Sequence, residues 1–238
     1  MKKPAAIALI AAPLLLAAYG LVRLVGKSDG VYGPGLDWQA AHLLALAGVI
    51  LFVPAVLHLG SLLPRGPWRS GTVAVTLIGA VASMVQFGAD IVFALRADDK
   101  AGMQALSGEF GDIPGVDLVV YQVGPQLFFV GLLVLTILAA RARRLPWWSP
   151  VVLLVGIVAP PVSLDLLPLS GLLILAALWP AARAAASTAA QGTAPRGRGD
   201  GGSAGTHVAV GLRPASFGNG VTDSDDEVYA GPPPRITP

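Results

Sequence analysis

Gln86 and Asp90 stand four residues apart inside an apolar run, residues 72–96, and that spacing puts a carboxamide and a carboxyl on one face of a helix. An acid so placed is suited to binding a cation, a proton or a small polar ligand. A charged side chain at the centre of a membrane helix costs roughly 2.5 to 3.5 kcal/mol to insert, so it requires partners or water. The same face continues through Thr72, Thr76, Gly79 and Ser83 at alternating helical spacings. Leu77, Ile78, Val85 and Val92 occupy the other faces. The polar seam is therefore expected to pack against neighbouring helices, with Gly79 and Ser83 allowing close approach, and the aliphatic residues are expected to meet lipid.

Partners for the acid come from the adjoining apolar runs. If the short basic connection 64–70 folds runs 39–63 and 72–96 into an antiparallel hairpin, His42 comes level with Asp90. Counting across the next connection, 97–116, brings Gln122 to that level and Gln126 to the level of Gln86. The candidate ligand or ion site is thus Asp90, Gln86, His42, Gln122 and Gln126. His42 would be the proton partner of the acid. The alternative use of the same layer is interhelical hydrogen bonding, which favours association by about 0.6 kcal/mol per pair.

Other chemistries fit less well. The chain has three histidines and no cysteine, and His207 is remote in the sequence, so no metal site is expected. His42 and His58 lie on one run, about 24 Å apart along a helix, too far to share a metal or haem. No Gly-x-Ser-x-Gly, His-Glu-x-x-His or phosphate-cradling glycine loop occurs. An intramembrane aspartyl protease needs two facing acids. Asp165 is the second candidate, but Gly88-Ala89-Asp90 lacks the glycine directly before the acid that such enzymes carry. Neither an enzyme nor a cofactor is expected.

The elements that must hold these residues follow from composition. Hydrophobic residues make up 54% of the chain and charged residues 13%, against roughly 25% charged in a soluble domain. The apolar residues fall in blocks of about 20, the length that spans some 30 Å of hydrocarbon. The fold class expected is all-α: a polytopic membrane bundle of six transmembrane helices over 1–184, followed by a disordered cytoplasmic tail, 185–238. The first block, after Lys2 and Lys3, resembles a secretory signal but continues to Val22, which favours a retained span. Pro160-Pro161 and Pro168 bracket Asp165, so the last apolar stretch divides into two short spans with an outer turn. One span preceded by a re-entrant segment is the alternative. Connection 97–116, with its glycines and Pro114, reads as an external loop without one continuous helix.

Arginines beside the block ends set the orientation. Arg65, Arg69, Arg141, Arg143, Arg144 and Arg183 gather with the N-terminal lysines on one side, against Arg23, Lys27, Arg96 and Lys100 on the other. Both termini are expected in the cytoplasm. Arginine over lysine and abundant alanine suit a bacterial source, so the membrane expected is a bacterial plasma membrane. The net charge of +2 gives no reason to expect nucleic acid as a partner. Partners expected are the lipid bilayer and a membrane or cytoplasmic protein engaged through the tail, whose Ser, Thr and Pro residues offer phosphorylation and polyproline sites. The function expected is that of a structural or accessory membrane component with a polar intramembrane layer. A small-solute, ion or proton-coupled transporter using Asp90 is the alternative.

Overall fold

A computed structural model describes residues 2–28 and 33–191, and among these every regular element is a helix. They are α1 (Lys2–Lys27), α2 (Leu36–Ser61), α3 (Pro67–Arg96), α4 (Lys100–Gly111), α5 (Gly124–Arg141), α6 (Ser149–Val162) and α7 (Leu167–Gln191). A π-helical segment, Asp117–Val123, leads into α5, and a short 3-10 turn, Leu164–Leu166, leads into α7. With those leads included, α1, α2, α3, α5 and α7 are long and apolar enough to cross a membrane. The helix α6 has 14 residues, about 21 Å of rise, and is shorter than the hydrocarbon.

From α1 through α2 and α3 to α5 each helix runs antiparallel to the one before, and close contacts fix their register. Tyr19 meets His42 between α1 and α2, while Gly48 faces Ala12 and Leu16. Between α2 and α3, Gly60 faces Val73 and Gln39 donates to the Ile91 carbonyl at 3.1 Å. The bundle is closed by α7, which lies along α1 with Gly171 against Ala17. One core joins them, built on Leu9, Phe52, Leu59, Phe128, Leu132, Leu135, Leu153 and Leu178, all fully buried. Leu9 and Ala12 place α1 inside that core.

The α3–α5 contact depends on missing side chains. A Cβ on Gly79 would meet the Gly124 carbonyl at 2.7 Å and the Phe128 amide. Gly131 in turn receives Thr76, and Gly124 receives Ala82. Thr76, Ser83 and Thr136 are buried, and each hydroxyl donates to the carbonyl four residues back, at 2.7, 3.0 and 2.8 Å. Their hydroxyls are thus satisfied within their own helices.

Two boundaries differ from expectation. Connection 97–116 contains a regular helix, α4, because Asp99 caps it by accepting from the Gly102 amide at 2.7 Å, a starting signal stronger than the internal glycines. The last helix continues past Ala184 to Gln191, since 181–190 is rich in alanine, the best helix former. The rest of the expected disordered tail lies outside the described residues.

Candidate functional site

The π-helical segment decides which side chain reaches the acid. Gly115 takes a positive φ of 85°, and the Gly124 amide donates to the Val119 carbonyl five residues back. The wider turn rotates the segment relative to an α-helix, and such turns recur at functional sites. Tyr121, not Gln122, faces α3, and its hydroxyl lies 3.5 Å from Asp90 Oδ1. Gln122 is exposed and donates to Asp117 at the start of its own segment, so it does not join the acid. An α-helical count could not anticipate this shift.

His42 does not reach Asp90 either. In the α2–α3 register His42 sits against Phe87, their ring centres 6.1 Å apart, three residues from the acid. Its Nδ1 donates to the Trp38 carbonyl at 2.9 Å, and its ring stacks on Trp38 at 4.1 Å. Tyr19 completes the cluster, packing edge-on to His42 at 5.7 Å and to Phe87 at 5.9 Å. The ring is 4% exposed and serves this aromatic cluster.

The cluster stands between two cavities. One, of about 250 Å³, holds Asp90 with Trp38, Phe93, Lys100, Met103, Gln104 and Ser107. Its roof is α4, fastened by Phe110, which packs edge-on to Phe93 at 5.6 Å and to Tyr121 at 6.3 Å. Tyr121, Lys100, Gln104 and Ser107 are the neighbours that sequence reasoning missed. The Asp99 cap was the available signal, since it starts a helix that brings Lys100, Gln104 and Ser107 to one side.

The second cavity, of about 410 Å³, holds Gln86 and Gln126 together, as the counting expected. Tyr19 and Phe87 line it from the aromatic cluster, Pro160 and Pro161 from the end of α6, and Leu164 from the 3-10 turn that follows. Asp165, next to Leu164, accepts from Arg23 Nη1 at 3.1 Å and Lys27 Nζ at 3.0 Å, which ties the α6–α7 turn to the end of α1. Asp165 lines neither cavity. The five candidate residues therefore divide: Asp90 under α4, Gln86 with Gln126 in the bundle, His42 among aromatics, and Gln122 at the surface.

No group of three or more His, Cys, Asp or Glu among the described residues is arranged to hold a metal ion. No protein family matches the chain, and neither a curated protein nor a solved structure shows a significant similarity to it.

Proposed function

We propose that this chain is a six-crossing accessory component of a bacterial plasma membrane, with both termini cytoplasmic. Its polar layer would organise helices and partners, and would not carry solute across. The observation that carries this reading is the floor beneath the layer. Phe52 and Phe128 are fully buried and meet edge-to-face at 5.2 Å, with Leu9, Val56, Leu59, Leu132 and Leu135 sealed around or beyond them. Below the Gln86 and Gln126 cavity the interior is thus mostly hydrocarbon, and the buried Thr76 and Thr136 hydroxyls are engaged within their own helices, which offers neither an ion nor a polar solute a stepping place.

Six crossings are supported by where α6 begins and ends. It starts after the Arg141, Arg143 and Arg144 connection, and beyond its end Asp165 pairs with Arg23 and Lys27 at the far end of α1. A re-entrant segment would return to its starting side.

The transporter alternative draws on Asp90, an acid set in a cavity with one long contact to Tyr121. Flux in vesicles separates the two readings. Purified protein reconstituted with a pH-sensitive dye inside, and challenged with proton, sodium and potassium gradients, should leak no faster than protein-free vesicles. A gradient-driven flux that Asp90→Asn abolishes, with the protein still folded, would sink the accessory reading.

A further inference from the structure

We propose that the cavity holding Gln86 and Gln126 is a binding site for an uncharged amphiphile that enters from the bilayer. The inference rests on the cavity alone and stands or falls apart from the flux measurement. None of the residues lining the cavity is charged, and most are apolar: Leu16, Val49, Phe128, Phe129, Ile157 and Leu167 form much of the wall. About 410 Å³ of mostly apolar space with a few polar groups is the usual make-up of a small-molecule site.

Two of those polar groups, the carboxamides of Gln86 and Gln126, are uncommitted. Of the glutamines on α2, α3 and the strand of helix leading through α5, Gln39 donates to Ile91 and Gln122 to Asp117. Among the described residues neither Gln86 nor Gln126 forms a hydrogen bond, although both face the cavity. Ser83, also on the wall, already donates to Gly79. A carboxamide without a partner in an apolar surrounding is costly, so the half-buried Gln86 and the exposed Gln126, set in one cavity, suit a guest that donates and accepts. Each carboxamide can do both, which matches a hydroxyl or an ester carbonyl. A carboxylate or ammonium head would enter with no counter-charge on the wall.

The route is lateral. Gln126 on α5 and Pro161 at the end of α6 both line the cavity and are exposed, so the cavity reaches the surface of the bundle. An apolar tail can lie between Phe129 and Ile157 while the head reaches the two carboxamides. The guest is therefore a long-chain alcohol or a monoacylglycerol, taken from the lipid phase.

The test uses full-length protein in lipid nanodiscs and a diazirine-bearing hexadecanol, with adducts mapped by mass spectrometry. Labelling should saturate, fall on cavity residues such as Phe129 and Ile157, and be displaced by unlabelled monoacylglycerol. Gln86→Leu with Gln126→Leu should lower it about tenfold, two lost hydrogen bonds of ordinary strength. A palmitate probe held ionised at alkaline pH should label weakly. Equal labelling by palmitate, unchanged labelling of the double variant, or adducts confined to lipid-facing residues such as Ile78 and Val130 would each overturn the proposal. Non-saturable labelling, meaning a hydrated cavity only, would overturn it as well. The adduct map and the displacement need only the wild-type chain, so the proposal remains testable if the double variant fails to fold.

Discussion

Asp90 is held loosely for an acid inside an apolar bundle. Its contact with Tyr121 is 3.5 Å, at the outer limit of a hydrogen bond. Membrane hydrogen bonds between side chains average about 0.6 kcal/mol even when well formed. Tyr121→Phe should therefore cost less than about 1 kcal/mol, and Asp90→Asn, which removes a charge that lacks a close partner, should leave stability unchanged or raised. Thermal unfolding in detergent measures both. A loss beyond about 2 kcal/mol in either variant would mean that the contact is far stronger than its length implies. At this scale the sequence was legible where helices are regular: Gln86 and Gln126 do share a cavity. It was illegible at Gln122, because nothing in Asp117–Val123 announces a π-helical turn, and one such turn moves Tyr121 into the place that counting assigns to its neighbour.

Elements make contact through small residues, and here the seam on α3 could be read with little loss. Thr76, Gly79 and Ser83 are buried against neighbours, whereas Ile78, Val85 and Val92 are exposed as a lipid face requires. Leu77 departs from this, being half-buried against the core. What periodicity could not supply is the partner surface, since Gly124 and Gly131, seven residues apart, do not by their spacing name Ala82 and Thr76 as the residues they receive. The α3–α5 contact is tight enough to give a sharp contrast. Gly79→Ala would drive a methyl into the α5 backbone, which cannot retreat as a side chain could, and should cost about 1–3 kcal/mol. Gly88→Ala, nine residues along the same helix with nothing within 4 Å, should be neutral or stabilising by up to about 1 kcal/mol through helix propensity. Denaturation curves of the two variants decide it: equal stability would mean that the close approach at Gly79 relaxes at no cost.

Over the whole molecule, the arginine clusters and the short α6 together bear on how the two ends of the bundle meet the membrane. The arginine clusters argue that the end with Arg65 and Arg144 faces the cytoplasm, and α6 decides whether the chain crosses five times or six. A helix of 14 residues spans only about 21 Å, but its terminal Pro160-Pro161 and the turn through Ser163 extend the path to Asp165. Local thinning, or polar groups drawn inward by the Asp165 pairs with Arg23 and Lys27, would cover the remaining mismatch. Because the native chain has no cysteine, single cysteines introduced at exposed sites report their side without background. In intact cells a membrane-impermeant maleimide should modify Gly108→Cys on α4 and Val162→Cys at the end of α6, both exposed positions. It should leave Arg65→Cys and Arg144→Cys untouched until the membrane is opened. Modification of Arg65→Cys in intact cells would invert the orientation. If instead Gly108→Cys reacts while Val162→Cys stays protected until lysis, α6 returns to the side on which it began, and the chain crosses five times with a re-entrant arm.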